Sequence, residues 1–176
     1  MVLLADRPRV NPARRVDTGN VYFPLLSDGV CGQDWIPRLQ HLGCRVGVYA
    51  ESVLLSEEFI PSQKTLEHIV AFQVTKDARR RLRGVDVVAN GMGFSRPYAE
   101  HACLICEKIA LGELVFPEVS HIVVMHEPIR DHEGGESILV ISQSEGLYLE
   151  ALSGKPDVWW EKATAFVYRR HTQGDG

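Results

Sequence analysis

The chain of 176 residues lacks the features that define several classes of protein. No apolar run approaches the length of a transmembrane helix, about 18 residues, and the start MVLLADRPRV has too short an apolar stretch for a secretory signal. Four cysteines do not make a disulfide scaffold at this length, and no internal repeat or low-complexity linker occurs. We therefore expect one cytoplasmic globular protein with free thiols and no membrane contact.

Complete catalytic and cofactor motifs are also missing. The sequence contains no G-x-S-x-G, and no Ser/His/Asp order stands out. The segment GMGFSR (91–96) has neither the third glycine of the dinucleotide fingerprint nor the Gly-Lys-Ser/Thr of a P-loop. No cofactor is assigned on these grounds, and the sequence leaves open whether the protein is an enzyme.

The formal net charge of −4 is divided unevenly along the chain. Residues 1–84 carry 12 Lys/Arg against 9 Asp/Glu, whereas residues 85–176 carry 7 against 14. Such a division can set an acidic face of one copy against a basic face of another, so we expect self-association as a homodimer. The overall acidity argues against a dedicated nucleic-acid binder, although the basic segment KDARRRLRG (76–84) could grip phosphates.

Periodicity and turn chemistry predict strands and helices along the whole chain. Strands are expected at VYFPLL (21–26), LEHIVAFQV (66–74), VDVVA (85–89), HIVVM (121–125), SILVIS (137–142) and AFVYRR (165–170), with LYLEAL (147–152) extending the sheet or turning away. Helices are expected from Asp34 to Gly43 and over residues 48–56, 76–84 and 97–111.

This order of elements predicts an α+β fold, with a mixed or mostly antiparallel sheet and helices packed on one face. We expect a mobile N-terminal arm over residues 1–18, which are rich in Arg and Pro. A single domain over 19–171 and a polar tail over 172–176 complete the predicted organisation.

The segment HEPIRDHEGGE (126–136) has the richest chemistry in the chain. His126 and Glu127 are an imidazole and a carboxylate at a strand end, the residue types of an acid/base pair or of a metal site. Adjacent residues on a strand face opposite sides, however, and the spacing matches no metal motif. Two apolar runs flanking Gly134-Gly135 also describe a long hairpin loop. The hairpin is the favoured interpretation, and catalysis by His126 and Glu127 is the alternative.

Two further segments carry candidate residues. VDVVANGMGFSRPYAEH (85–101) reads as strand, glycine loop and helix, an order that can hold an anion with Ser95, Arg96 and His101 as ligand-binding residues. A glycine loop required only by geometry is the other interpretation. HACLIC (101–106) contains C-x-x-C, but its cysteines fall on the apolar stripe of a helix, and we expect core thiols and no metal site.

Several phrases resemble a family of small uncharacterised bacterial proteins. They are WIPRLQHLGCRVGVYAESVLLS, AEHACLIC, IVVMHEPI and AFVY, and the likeness runs from about Thr18 to Tyr168. The resemblance implies a self-contained protein and no particular activity, substrate or functional residue.

Two functions are consistent with these observations. The first is a non-catalytic binding or interaction module that forms a homodimer and takes a partner or a small anionic ligand. The second is a small metal- or acid/base-dependent enzyme centred on His126 and Glu127, with Arg96 as an anion anchor and His101 or His132 as a third polar group.

Overall fold

The structure is a computed structural model that describes residues 20–76 and 80–170 and the backbone of Arg14–Arg15. Four helices lie within these residues, at α1 (Gly32–His41), α2 (Val48–Leu55), α3 (Leu82–Gly91) and α4 (Glu100–Ala110). The strands are β1 (Arg14–Arg15), β2 (Val21–Leu26), β3 (Arg45–Val46), β4 (Leu66–Gln73), β5 (Phe94–Ser95), β6 (His121–Val124), β7 (Ile129–Arg130), β8 (Glu136–Ser142), β9 (Tyr148–Ser153) and β10 (Thr164–Arg170).

The strands form one mixed sheet in the order β1-β2-β4-β10-β6-β8-β9-β3, with β5 beside β10 and β7 beside β8. The β6–β10 and β3–β9 pairs are parallel, and the other pairs are antiparallel. The predicted α+β class with a mixed sheet is therefore confirmed.

Both faces of the sheet are covered. On one face, α1, α2 and α4 pack against inward side chains of β2, β4, β6, β8, β9 and β10, with Trp35 and Leu39 of α1 completely buried. On the other face, α3 packs Leu82, Val85 and Ala89 against aromatic and aliphatic side chains of β4, β8 and β10. Three of the four helices thus share one face, as expected, and α3 occupies the opposite one.

The prediction of a strand at VDVVA (85–89) is wrong. These residues lie in α3, which begins at Leu82 and ends at Gly91, so Gly84 is inside the helix instead of at its end. Val favours a strand and Asp a turn by local propensity. A helix forms instead because it places residues 82, 85 and 89 on one buried face, and it leaves Val87 exposed. The predicted helix over 76–84 is wrong for Lys76, Arg80 and Arg81, which are not helical, whereas residues 82–84 begin α3. Residues 77–79 lie outside the described residues.

The other element predictions need only boundary changes. The first helix begins at Gly32 with Cys31 as its N-cap, so Asp34 lies in the first turn and is not the cap. Gly32 is required there because a Cβ atom would collide with the backbone carbonyl of Leu54 in α2. Within the predicted N-terminal arm, Arg14–Arg15 pairs with β2. The rest of the arm and the tail over 172–176 lie outside the described residues.

Glu100 joins three distant segments at the start of α4. Its side chain is completely buried and accepts hydrogen bonds from the backbone N–H of Val30 (2.8 Å), the indole of Trp35 (3.3 Å) and the backbone N–H of Ser62 (2.7 Å). The hydroxyl of Ser62 donates a further hydrogen bond to it. Because buried polar groups need partners, this carboxylate fixes the loops that follow β2 and precede β4 against α4.

Replacement of Glu100 tests this role. Glu100→Gln replaces an acceptor oxygen by an amide NH2 group that faces hydrogen-bond donors, so we expect the free energy of unfolding to fall by about 3 kcal/mol. Urea denaturation measures the change. Glu113→Gln removes a half-exposed carboxylate that contacts Lys108, and this control should cost less than about 0.5 kcal/mol. Equal stability of the Glu100→Gln variant and the wild type would contradict the assignment.

Candidate functional site

A cleft of about 360 Å³ opens beside the break between β6 and β7. Four parts of the chain line it: residues 96–99 before α4, residues 126–129 at the break, Arg169 of β10, and Glu58 with Ile60 from the loop after α2. The cleft therefore lies where segments distant in sequence meet at one end of the sheet.

The break is a local change of register against β8. Val123 pairs with Val140, whereas Ile129 pairs with Ser137, so residues 124–128 face only residues 138 and 139. The backbone turns tightly where the N–H of His126 donates to the carbonyl of Val124 (2.8 Å). This bulge directs residues 126–128 away from the ladder and forms one wall of the cleft.

The His126 side chain closes the gap that the bulge leaves in the ladder. Its Nε2 accepts a hydrogen bond from the backbone N–H of Leu139 (2.9 Å), and its Nδ1 lies 2.6 Å from the carbonyl oxygen of Glu127. These partners assign the neutral ring with the proton on Nδ1. Burial lowers the pKa of His126 to about 4, and the nearby Arg96 charge also lowers it.

Arg96 crosses the floor of the cleft in a fixed orientation. One guanidinium nitrogen donates to the carboxylate of Asp86 in α3 (2.6 Å), and another donates to the carbonyl oxygen of His126 (3.1 Å). Asp86 is itself held by the hydroxyl of Tyr168 (2.6 Å). The remaining edge, at Nε, lies 3.4 Å from the carboxylate of Glu127, whose side chain is 81% exposed.

Arg169 is the second cation of the cleft. Its Nε donates to the carbonyl oxygen of Arg96 (2.8 Å), and its guanidinium lies over the ring of Tyr98 at 4.8 Å from the ring centroid. The carboxylate of Glu67 lies 3.5 Å from its terminal nitrogen. Two guanidinium groups are therefore positioned in one cleft by hydrogen bonds and ring contacts before any ligand binds.

Of the three predicted ligand-binding residues, only Arg96 lines the cleft. Ser95 lies opposite Arg169 in the β5–β10 pair and is not among the lining residues. His101 is completely buried behind the cleft, where Nδ1 accepts from the N–H of Tyr98 (3.0 Å) and Nε2 faces Glu67 at 3.4 Å. Burial lowers the pKa of His101 to about 3, and the charge of Arg169 also lowers it, so the ring is neutral.

The geometry does not support the predicted acid/base pair of His126 and Glu127. Both ring nitrogens of His126 are bonded to backbone groups, and the ring is 1% exposed, so neither nitrogen faces the cleft with a free proton or lone pair. The side chain of Glu127 is 81% exposed, and its carboxylate contacts Arg96. His126 acts as part of the sheet.

The rest of HEPIRDHEGGE is the predicted hairpin. β7 and β8 pair around a turn in which the carboxylate of Asp131 accepts from the N–H groups of Glu133 and Gly135 (both 2.9 Å) and from the hydroxyl of Ser137 (2.8 Å). The hydrogen bond from Ser137 is the largest contribution that lowers the pKa of Asp131. Gly134 adopts a φ of 80° in this turn, a conformation that favours glycine.

The other candidate segments have structural roles in the part of the chain described. Cys103 and Cys106 are buried in the core, as expected. No group of three or more His, Cys, Asp or Glu side chains in residues 20–76 and 80–170 is arranged to hold a metal ion. In the basic segment, Arg80 lies over the ring of Trp159, and Arg81 and Arg83 lie near Asp157 (3.8 and 3.6 Å).

Sequence reasoning missed Arg169 and Asp86. The alternation in AFVYRR places Arg169 on the same face as the buried Val167, which is a detectable signal that an arginine points toward a helix-covered face. Asp86 was missed because residues 85–89 were predicted to form a strand, whereas they lie in α3. Only the helical assignment brings this carboxylate to Arg96.

No protein-family model, curated protein or solved structure matches this chain. The resemblance to a family of small bacterial proteins therefore stays a prediction. None of the helices described is long and apolar enough to cross a membrane. A cytoplasmic location stays a prediction as well.

The neutral state of His126 predicts a pH-dependent contribution to stability. A free histidine has a pKa near 6.5 and the folded one about 4, so the unfolded chain binds the proton more readily between these values. The neutral His126 ring makes its full contribution to the free energy of unfolding above pH 6.5. This contribution falls by about 3 kcal/mol as the pH drops to about 4. The free-energy difference between wild type and His126→Gln should therefore shrink on acidification.

Urea denaturation at a series of pH values measures this difference. The comparison between wild type and variant cancels the titration of the carboxylates that both proteins share. A difference that stays constant between neutral and acidic pH would show that His126 is not held neutral in the folded protein.

Proposed function

We propose that this protein is a non-catalytic binding protein that takes a small organic anion, a carboxylate with an apolar body, in the cleft around Arg96 and Arg169. The observation that carries the proposal is the pair of preorganised guanidinium groups in a concave, partly apolar site. The apolar lining comes from Ile60, Pro97 and Ile129. Such a combination of convergent cations and apolar walls is typical of sites for small carboxylates.

The free edge of Arg96 supports a defined position for the carboxylate. The Nε atom faces Glu127 at 3.4 Å, which is longer than a strong charge-assisted hydrogen bond of about 2.8 Å. Because Glu127 is largely exposed, its side chain can turn into solvent at little cost. An incoming carboxylate would take its place beside Arg96, in the cleft that Arg169 also lines.

The charges at the rim set the selectivity of the site. Glu58 lines the cleft, but its carboxylate accepts from the backbone N–H of Arg130 (3.0 Å) and is thus already engaged. Glu127 competes directly with a bound anion. Binding is therefore expected to be weak for anions without an apolar body, because the apolar contacts must supplement a partly neutralised site.

Benzoate is the probe that tests this proposal, with benzamide as the neutral analogue of the same shape. Benzoate should bind at least about tenfold more tightly than benzamide, since only the carboxylate makes charge-assisted hydrogen bonds.

Glu127→Gln removes the competing carboxylate and should tighten benzoate binding by about threefold or more. Arg96→Lys keeps the charge but loses the planar fork, and it should weaken binding by about tenfold. Chemical-shift titration measures each dissociation constant.

Arg45→Lys is the matched control, because Arg45 is exposed and does not line the cleft. Its benzoate affinity should equal that of the wild type. Equal binding of benzoate and benzamide, or a Glu127→Gln variant with unchanged affinity for benzoate, would overturn the proposed function.

The proposal includes a homodimer. The uneven charge distribution along the chain and a pair of exposed leucines support it. Leu26 and Leu66 are cross-strand partners in β2–β4, and they are 56% and 58% exposed. An adjacent pair of exposed leucines at the end of a sheet is a natural contact for a second copy.

Sedimentation velocity should give a dimer for the wild type and a monomer for Leu66→Lys. The control variant Val87→Lys, on the exposed face of α3, should remain a dimer. A monomeric wild type would contradict this part of the proposal.

A further inference from the structure

Two cysteines that lie far apart in the sequence meet in the core. The sulfur atoms of Cys44 and Cys106 are 2.9 Å apart, although 62 positions separate the residues in the chain. Cys44 lies between α1 and β3, and Cys106 lies in the middle of α4. Both side chains are buried, at 2% and 0% exposure. Neither residue belongs to the cleft described above.

We propose that Cys44 and Cys106 form a dithiol modification site that a peroxide oxidises to an internal disulfide. The sulfur atoms need to approach by only about 1 Å to reach the disulfide bond length of about 2.05 Å. Small side-chain rotations can supply such a movement. Oxidation at this site therefore does not require the segments to separate.

The environment makes Cys44 the thiol that reacts first. The Cys106 thiol and a backbone group of Leu149 form hydrogen bonds that lower the pKa of Cys44. The pKa of Cys106 is raised by its hydrogen bond to Cys44 and by burial, which favours its protonated form. Cys44 also precedes the edge strand β3, and it is 2% exposed whereas Cys106 is 0% exposed. A molecule as small as hydrogen peroxide is the oxidant class that this position favours.

The chemistry balances in two steps. The Cys44 thiolate attacks one peroxide oxygen, the O–O bond breaks, and the released hydroxide takes a proton to become water, which leaves a sulfenic acid on Cys44. The Cys106 sulfur then attacks the Cys44 sulfur, the S–O bond breaks, and the hydroxyl group leaves with the Cys106 proton as a second water. Two thiols and one peroxide thus give one disulfide and two waters, and the sulfur atoms supply the two electrons.

Cys103 and Cys31 provide matched controls within the same chain. Cys103 is one helical turn from Cys106 and completely buried, and burial raises its pKa well above the usual value. Cys31 is the exposed cysteine of the four, and a Cys31→Ser background removes disulfides between molecules. Full-length reduced Cys31→Ser protein is treated with hydrogen peroxide, quenched with catalase, denatured and labelled with a thiol-alkylating reagent. Intact mass then counts the labelled thiols before and after treatment with dithiothreitol.

The expected result is a loss of two labelled thiols, from three to one, with a mass lower by two hydrogens before labelling and full recovery on reduction. Adding Cys103→Ala should preserve the loss of two thiols, whereas adding Cys106→Ala should abolish the reducible bond and leave Cys44 as a sulfenic acid trapped by dimedone. Circular dichroism checks that each variant is folded. Retention of all three thiols, or a disulfide that depends on Cys103 instead of Cys106, would overturn the proposal.

Discussion

The bond between the His126 ring and the backbone of Leu139 is the contact on which the site depends. A bulge of this size removes a carbonyl acceptor from the ladder between β6, β7 and β8, and an unpaired N–H in the centre of a sheet is costly. The imidazole Nε2 supplies the missing acceptor at 2.9 Å. The sheet can therefore change register without losing a buried hydrogen bond, and the cleft forms where it does so.

The same residue also positions the first cation. The carbonyl oxygen of His126 accepts from Arg96, and Asp86 holds the other side of the guanidinium. Arg96 in turn offers its own carbonyl oxygen to Arg169. A chain of hydrogen bonds thus runs from the centre of the sheet to both arginines and orders their guanidinium groups. Preorganisation of this kind reduces the entropy cost of binding a carboxylate.

The buried carboxylate of Glu100 anchors the opposite side of this arrangement. It fixes the start of α4 against the loops at Val30 and Ser62, and residues 96–99 of the cleft directly precede this helix. Core packing, the buried side chain of Glu100 and the ladder bond of His126 therefore stabilise the same small region. The cysteine pair lies in the core on the same face of the sheet and does not line the cleft.

Much of this fold could be predicted from local patterns, but the site could not. The strands at 21–26 and 137–142 and the helix at 48–56 follow from periodicity and turn residues. Arg96 as an anion ligand stays a prediction, which the proposed function retains. Helix α3 was missed because its valines favour a strand locally, whereas its burial against β4 and β10 is a tertiary effect. The role of His126 was missed because it depends on the register between residues 124–128 and 138–139. No local pattern encodes that register.

The tautomer and charge of His126 in solution test this account most directly. Long-range ¹H–¹⁵N correlation spectra of the histidine rings report which nitrogen carries the proton at each pH. The structure predicts that His126 carries its proton on Nδ1 and stays neutral at a pH of about 5.5. The amide hydrogen of Leu139, which donates to the ring, should exchange slowly with solvent. A His126 ring that titrates near pH 6.5, or that carries its proton on Nε2, would contradict the account.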